Sequence, residues 1–285
     1  MNFEAVIREI ESLGLNLYDF ALYTPQGTHF HRFQPCSNCL NSYSIAKAFV
    51  VTALGMLYDE DRLAPEDPIG KYLPIPQGAD PRWHEATLEH AITHTLGFDE
   101  GFLDIDSEDA TLYGTEDFLS IVFSHPLAHP PGTHEQYSDA AYYLLSRVVS
   151  SAAGENLDTY LNRRLIRPLR FREIAWSRCP YEYPIGATGL YIGAQDMVKL
   201  GALYLQDGVW QNQRLLSSSW VNLVIQKGYE FTPIKETSLL GKGGMYGQLV
   251  AFSKEKDYAV AYHAHETGEG RKHLPKYLDR LIASL

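Results

Sequence analysis

Apolar positions along the chain alternate between two spacings, and the changes of spacing mark out its elements. Phe3, Val6, Ile7, Ile10 and Leu13 recur at helical spacing, with Gly14 next where a left-handed cap is suited, so an opening helix is predicted. Residues 17–23 and 29–33 roughly alternate apolar with polar around the turn Pro25-Gln26-Gly27 and read as a hairpin. Helical spacing returns over 44–58 through Ala46, Phe49, Val50, Ala53, Leu54 and Leu57. The nearly apolar run 46–58 is too short to span a bilayer and reads as a buried helix.

From Asp59 to about Pro180, helical patterns and Pro/Gly punctuation dominate, over 87–96, 115–124, 138–153 closed by Gly154, and 157–166 stopped near Pro168. Helices follow at 196–206 and 218–225, then strands at 247–252 and 258–264, then a last helix at 272–285. Strands near both ends with helices between them predict α/β plus all-α architecture. An antiparallel sheet subdomain, residues 1–58 and 181–285, is flanked by the terminal helices, and a helical subdomain, 59–180, is inserted in it.

A length of 285 residues suits one substantial core or two packed subdomains, and the composition is that of an ordinary globular protein. The net charge of −11, spread without blocks of like sign, excludes a nucleic-acid surface and a polybasic membrane patch, which leaves a small molecule or peptide as the expected partner. The opening residues lack a secretory signal pattern and the three cysteines are too few and odd for a disulfide framework, so a cytoplasmic location is expected.

Candidate chemistry centres on Ser44-Ile45-Ala46-Lys47. In the first turn of a helix, a spacing of three puts the lysine amine on the face of the serine hydroxyl, and the unpaired N–H groups there can support an oxyanion. A serine hydroxyl needs a base. Lysine can serve only if its pKa falls from about 10.4 toward neutrality, a change worth about 4 to 5 kcal/mol that burial and a second cation could supply. Ser253-Lys254-Glu255-Lys256 has the same spacing but lies in a polar hairpin turn.

Two further elements complete a pattern. Tyr137-Ser138-Asp139 follows Pro130-Pro131-Gly132 and precedes a helix, and Lys242-Gly243-Gly244 lies just ahead of the strand from 247. In this order the three resemble the motifs of the serine β-lactamase and penicillin-binding-protein superfamily, in particular its class C β-lactamase, DD-peptidase and esterase branch. His94-Thr95-Leu96-Gly97-Phe98, Ile166-Arg167-Pro168-Leu169, and Gly189-Leu190 followed by Asp196 are similar to lesser landmarks of that family. The resemblance implies a β-lactamase/transpeptidase-like fold with the active site in the cleft between the subdomains. It implies a covalent acyl-enzyme on Ser44, proton transfer by Lys47 and Tyr137, and Lys242 supporting the tyrosine and attracting an anionic group. The backbone N–H groups of Ser44 and Met245 would form the oxyanion hole, and Asp139, Gly243 and Gly244 would line the substrate. No cofactor is implied.

Two positions depart from the family pattern. Asp139 stands where asparagine is usual, and Gly243 where threonine or serine is usual. An ionised aspartate can only accept hydrogen bonds, so Asp139 should repel a substrate carbonyl or pair with Lys47. The hydroxyl missing at Gly243 forgoes about 1 to 3 kcal/mol of contact to a substrate carboxylate. The expected activity is therefore that of an esterase or amidase on neutral or amine-bearing substrates. A penicillin-binding carboxypeptidase or β-lactamase proper, taking a β-lactam as covalent ligand, and a non-catalytic ligand-binding member are the alternatives. His90 and His94, four apart with His84 nearby, have zinc-like spacing without an acidic or cysteine partner to complete a site. Cys36-Ser37-Asn38-Cys39 has the spacing of a redox or metal half-site without a second pair and reads as two small buried thiols.

Overall fold

The computed structural model describes residues 3–266 and 269–283. Its helices are α1 (Phe3–Ser12), α2 (Ala46–Asp59), α3 (Leu88–Ile92), α4 (Phe118–Ser124), α5 (Asp139–Ala153), α6 (Leu157–Leu161), α7 (Ala194–Leu205), α8 (Ser218–Lys227) and α9 (Glu269–Ala283). Its strands are β1 (Leu17–Thr24), β2 (Gly27–Arg32), β3 (Leu40–Asn41), β4 (Ile174–Trp176), β5 (Leu190–Ile192), β6 (Val209–Trp210), β7 (Gln213–Arg214), β8 (Thr232–Pro233), β9 (Leu240–Gly243), β10 (Leu249–Ser253) and β11 (Tyr258–Ala264). The chain divides into two compact units. One holds the chain up to Ile45, Leu169–Ala175 and the chain from Tyr191; the other holds Ala46–Pro168 and Trp176–Leu190. Among the described residues, no helix is long and apolar enough to cross a membrane.

The first unit is built on an antiparallel sheet of order β2-β1-β11-β10-β9-β8. The expected joining of chain ends is the β1/β11 pairing, with Phe20 opposite Tyr262 and Leu22 opposite Val260. Every residue of β10 and β11 is buried, because both faces of the sheet are covered. On one face Val6, Ile7 and Ile10 of α1 and Leu274 and Leu278 of α9 pack with Phe20, Val260 and Tyr262. On the other, α7 lies so close that a Cβ at Gly201 would come within 3.2 Å of the Ala251 carbonyl and the Ala259 side chain. Buried Asp19 fixes the start of α7, accepting from the Ala194 N–H at 3.0 Å and bonding His263 Nδ1 at 2.7 Å.

Asp279 ties α9 to the β10–β11 turn and the start of β11, accepting from Lys256 Nζ, Tyr258 Oη and Ser238 Oγ, each at 2.7 Å. Burial by itself would raise its pKa; the bonds from Lys256, Tyr258 and Ser238 outweigh it and hold the carboxyl below its ordinary value. A depressed carboxyl contributes stability that is present above the unfolded value of about 3.9 and is lost as pH falls through the folded value. Asp279→Asn is therefore expected to lower the melting temperature at pH 7, by about 1 to 3 kcal/mol in stability. The gap to wild type should close in melts run down toward pH 3; a gap constant with pH would contradict the assignment.

The second unit packs α2 against α5 and α6, with α3 and α4 also on α5. Every residue of α2 from 46 to 57 is buried, as a helix apolar all round requires. It groups with these helices, whereas the sequence pattern assigned 46–58 to the sheet subdomain. α5 runs from Asp139 to the left-handed cap at Gly154 (φ 73°), as its period predicted.

Other elements differ in extent. The helix expected over 87–96 ends at Ile92, because His94 (φ 57°) and Gly97 (φ 105°) adopt left-handed backbone. The one expected from 115 starts at Phe118, where the Asp117 side chain caps the Leu119 N–H. The segment 157–166 is α6 followed by a π-helical turn over Asn162–Ile166. The terminal helix begins at Glu269, and the last two positions expected for it, 284–285, lie outside the described residues.

Candidate active site

Ser44 follows β3 in a 3₁₀ turn over Tyr43–Ile45, and the α-helix proper starts at Ala46. Tyr43, with φ of 50°, holds the left-handed conformation that a bulky residue seldom takes, at a cost on the order of 1 to 3 kcal/mol. The turn is held by the Tyr43 N–H on Asn41 Oδ1 at 2.9 Å and by edge contact of the Tyr43 and Tyr246 rings at 5.1 Å. These contacts present Ser44, half-buried, at the head of α2.

The same unit carries the third motif. Lys242 sits inside β9, opposite Val250 of β10, so the motif lies on its own strand as well as ahead of the next. Its ammonium pairs with Glu230, a buried residue at φ 62° to which no sequence motif pointed. Gly244 is required by close approach: a Cβ there would lie 2.7 Å from the Ser42 carbonyl, in the turn that carries Ser44. At Gly243 a Cβ would meet only the Gln248 carbonyl at 3.5 Å, an ordinary contact, so packing does not exclude a side chain. Met245 lies in the turn after Gly244, where Tyr246 N–H donates to Gln248 Oε1 at 3.0 Å.

In the second unit, Lys47 is fully buried. Its Nζ donates to Asp139 Oδ1 at 2.7 Å and to the Ala187 carbonyl at 2.9 Å. It also lies 4.8 Å from the centre of the Tyr137 ring and 5.7 Å from that of Tyr142. Asp139 opens α5, where the helix dipole favours a carboxylate. Asp104 and Asp106 bring two more carboxylates near it, all three within 4.8 Å of one another, and Thr188 Oγ1 donates to Asp106. Tyr137 is 45% exposed, and its ring lies tilted at 34° to that of His94, 4.4 Å away.

The structure thus brings Lys47, Tyr137 and Asp139 together in one unit, while Ser44, Lys242, Gly243, Gly244 and Met245 belong to the other. The rival pair at 253 and 256 has other duties: buried Ser253 bonds Ser238 Oγ at 2.7 Å and accepts from the Lys256 N–H, while Lys256 binds Asp279. The zinc-spaced histidines bond to backbone instead, His90 Nδ1 accepting from the Thr87 N–H and His94 Nδ1 from the Ser138 N–H. Cys36 and Cys39 are half-buried free thiols, and burial, then the neighbouring Glu173, pushes Cys39 up to about 11.

The sequence matches the Beta-lactamase family model over residues 40–284. It is 26% identical over 204 residues to the 6-aminohexanoate-dimer hydrolase of Paenarthrobacter ureafaciens, covering 65% of this chain and 50% of that protein. The chain spans 29 to 50% of the length of the curated relatives it matches. Its fold is that of a penicillin-binding protein homologue from Caulobacter crescentus, with a TM-score of 0.77 at 16% identity over 100% of this chain and 98% of that one. It is likewise that of the octameric penicillin-binding protein homologue from Pyrococcus abyssi, with a TM-score of 0.76 at 16% identity over 100% of this chain and 78% of that one.

Proposed function

The chain belongs to the Beta-lactamase family, and we propose that it is a serine hydrolase of neutral or amine-bearing esters and amides, working through an acyl-enzyme on Ser44. In this reading Ser44 Oγ attacks the substrate carbonyl while its proton passes to the phenolate oxygen of Tyr137. The tetrahedral oxyanion then re-forms the carbonyl and the bond to the leaving group breaks as that group takes the proton from Tyr137. Water next attacks the acyl carbon while giving its proton to Tyr137, and the Ser44–acyl bond breaks as Ser44 Oγ takes the proton back, releasing the acid. The backbone N–H groups of Ser44 and Met245 would receive the oxyanion.

The observation that carries this choice of substrate is the buried Lys47–Asp139 pair at 2.7 Å. A carboxylate so close favours the charged ammonium, which leaves proton acceptance to Tyr137 and gives Lys47 an electrostatic part beside the tyrosine ring. Asp139 cannot offer a substrate carbonyl the donor that an asparagine amide would. The three clustered carboxylates favour a cationic substrate group, and Gly243 brings no hydroxyl to a carboxylate.

The test is a side-by-side assay with a chromogenic cephalosporin and short-chain nitrophenyl esters. Ester hydrolysis well above cephalosporin turnover is expected; efficient cephalosporin turnover without ester hydrolysis would sink the reading. A paired prediction follows from the departures. Asp139→Asn should speed acylation by penicillin. Gly243→Thr, for which the strand has room, should lower the KM for a carboxylate-bearing β-lactam on the order of tenfold, the equivalent of one charged hydrogen bond. Unchanged penicillin kinetics in both variants would remove these positions from the specificity argument.

A further inference from the structure

The segment 94–97 and the loop that carries Tyr137 are bonded along their length. The His129 N–H donates to the Gly97 carbonyl at 2.9 Å, the Gly132 N–H to the Thr95 carbonyl at 2.7 Å and the Gln136 N–H to the His94 carbonyl at 2.8 Å. The next contact comes from a side chain: the Ser138 N–H donates to His94 Nδ1 at 3.3 Å. His94 therefore holds the residues on both sides of Tyr137, one through its backbone and one through its ring. The ring itself lies between aromatic neighbours, 4.4 Å from Tyr137 and 5.2 Å from Tyr142, the two tyrosines whose faces the Lys47 ammonium approaches.

We propose that His94 is a positioning residue for Tyr137, fixing the phenol ring through the Ser138 N–H bond and ring contact. The inference rests on the reading of Ser44 as nucleophile and Tyr137 as proton acceptor. Nδ1 accepts a backbone N–H, so the ring proton sits on Nε2 in this arrangement. Left-handed backbone at His94 (φ 57°) aims carbonyl and ring at the same loop, a conformation that asparagine tolerates far better than most residues. Tyr137 is nearly half exposed, so burial alone does not fix its ring. A displacement of about 1 Å in a reacting group can cost on the order of 10²-fold in rate, which is the size of effect such a clamp would control.

The experiment measures how fast a fluorophosphonate labels Ser44 in the full chain, by intact mass, together with the final number of labels per chain. His94→Ala removes acceptor and ring; His94→Asn keeps an acceptor near the Nδ1 position and suits the left-handed backbone. We expect His94→Ala to slow labelling on the order of 10²-fold while still reaching one label per chain, and to lower kcat on a nitrophenyl ester with KM unchanged. His94→Asn should recover most of the rate. A wild-type labelling rate in His94→Ala overturns the proposal. So does a fall in the number of labelled chains with no change in the rate of the rest, since that is loss of fold and not of position. Failure of the wild type itself to label at Ser44 would instead defeat the reading of the nucleophile, and the role of His94 with it.

Discussion

Replacing Lys47 with methionine is expected to destabilise the protein by about 3 to 5 kcal/mol, the usual consequence of removing one partner from a buried ion pair. Methionine fills similar volume, so the effect isolates the charge. Asp139, about 8% exposed at its side chain, would lose an ammonium 2.7 Å away while Asp104 and Asp106 stay within 4.8 Å. Three carboxylates would then share a poorly solvated region. In thermal melts the loss should appear as a shift on the order of 10 °C. Lys47→Met combined with Asp139→Leu should regain most of it, because an apolar pair leaves no buried charge behind. Ester hydrolysis should fall by about 10²- to 10³-fold in both variants, the range typical of losing one charge-stabilising group, because Tyr137 would lose the ammonium beside its ring. Recovery of stability without recovery of activity would separate the structural part of the pair from the catalytic part. An unchanged melt for the single variant would show that the pair does not form in solution.

What the sequence made legible, it did through period and punctuation. β11 is found at its predicted bounds because seven residues that are all buried, bounded by Asp257 and a charged stretch, have one physical solution. α5 ends at Gly154 because a left-handed cap there needs no side chain. β9 escaped notice for the converse reason. Leu240-Gly241-Lys242-Gly243 is half glycine, with little strand propensity of its own, and its order comes from pairing with β10. Gly241 is packed so closely that a Cβ would lie 2.8 Å from the Val250 carbonyl. The short extent of α3 was hidden too, since left-handed backbone at His94 is imposed by what its carbonyl and ring bind, 42 and 44 residues away respectively.

Much the same division applies to the candidate site. Ser44, Lys47, Tyr137 and Lys242 stood out as candidates because each sits in a motif beside a structural marker, the first two at a helix start, Tyr137 after a Pro-Gly turn and Lys242 before a Gly-Gly pair. The groups that lie against them did not. Glu230 beside Lys242, the Ala187 carbonyl on Lys47, and Asp104 and Asp106 near Asp139 reach these groups only through tertiary folding. Asp139 was the exception: its mismatch with the family asparagine foretold a pairing with Lys47, and that pairing is present. One difference from the pattern thus said more about the surroundings of Lys47 than the matches did.

Ser44→Ala should have the largest effect on activity, lowering ester hydrolysis by at least about 10⁴-fold, because an acyl-enzyme route has no substitute for its nucleophile. Stability should barely move. Ser44 is half-buried in a turn fixed mainly by Tyr43 and Asn41, and loss of one hydroxyl at such a position usually changes stability by under about 1 kcal/mol. The backbone N–H groups and Lys47 would remain, so some catalysis above the rate in water should persist, as it does when an oxyanion site outlives its nucleophile. Intact mass after incubation with an activated ester or a penicillin supplies the matching readout. A stable adduct on the wild type but not on Ser44→Ala would identify the attacked residue, and turnover with no adduct would place deacylation ahead of acylation in rate. Adducts of equal yield on both proteins would move the nucleophile elsewhere, and the roles given to Lys47, Tyr137 and Lys242 would have to be rebuilt around it.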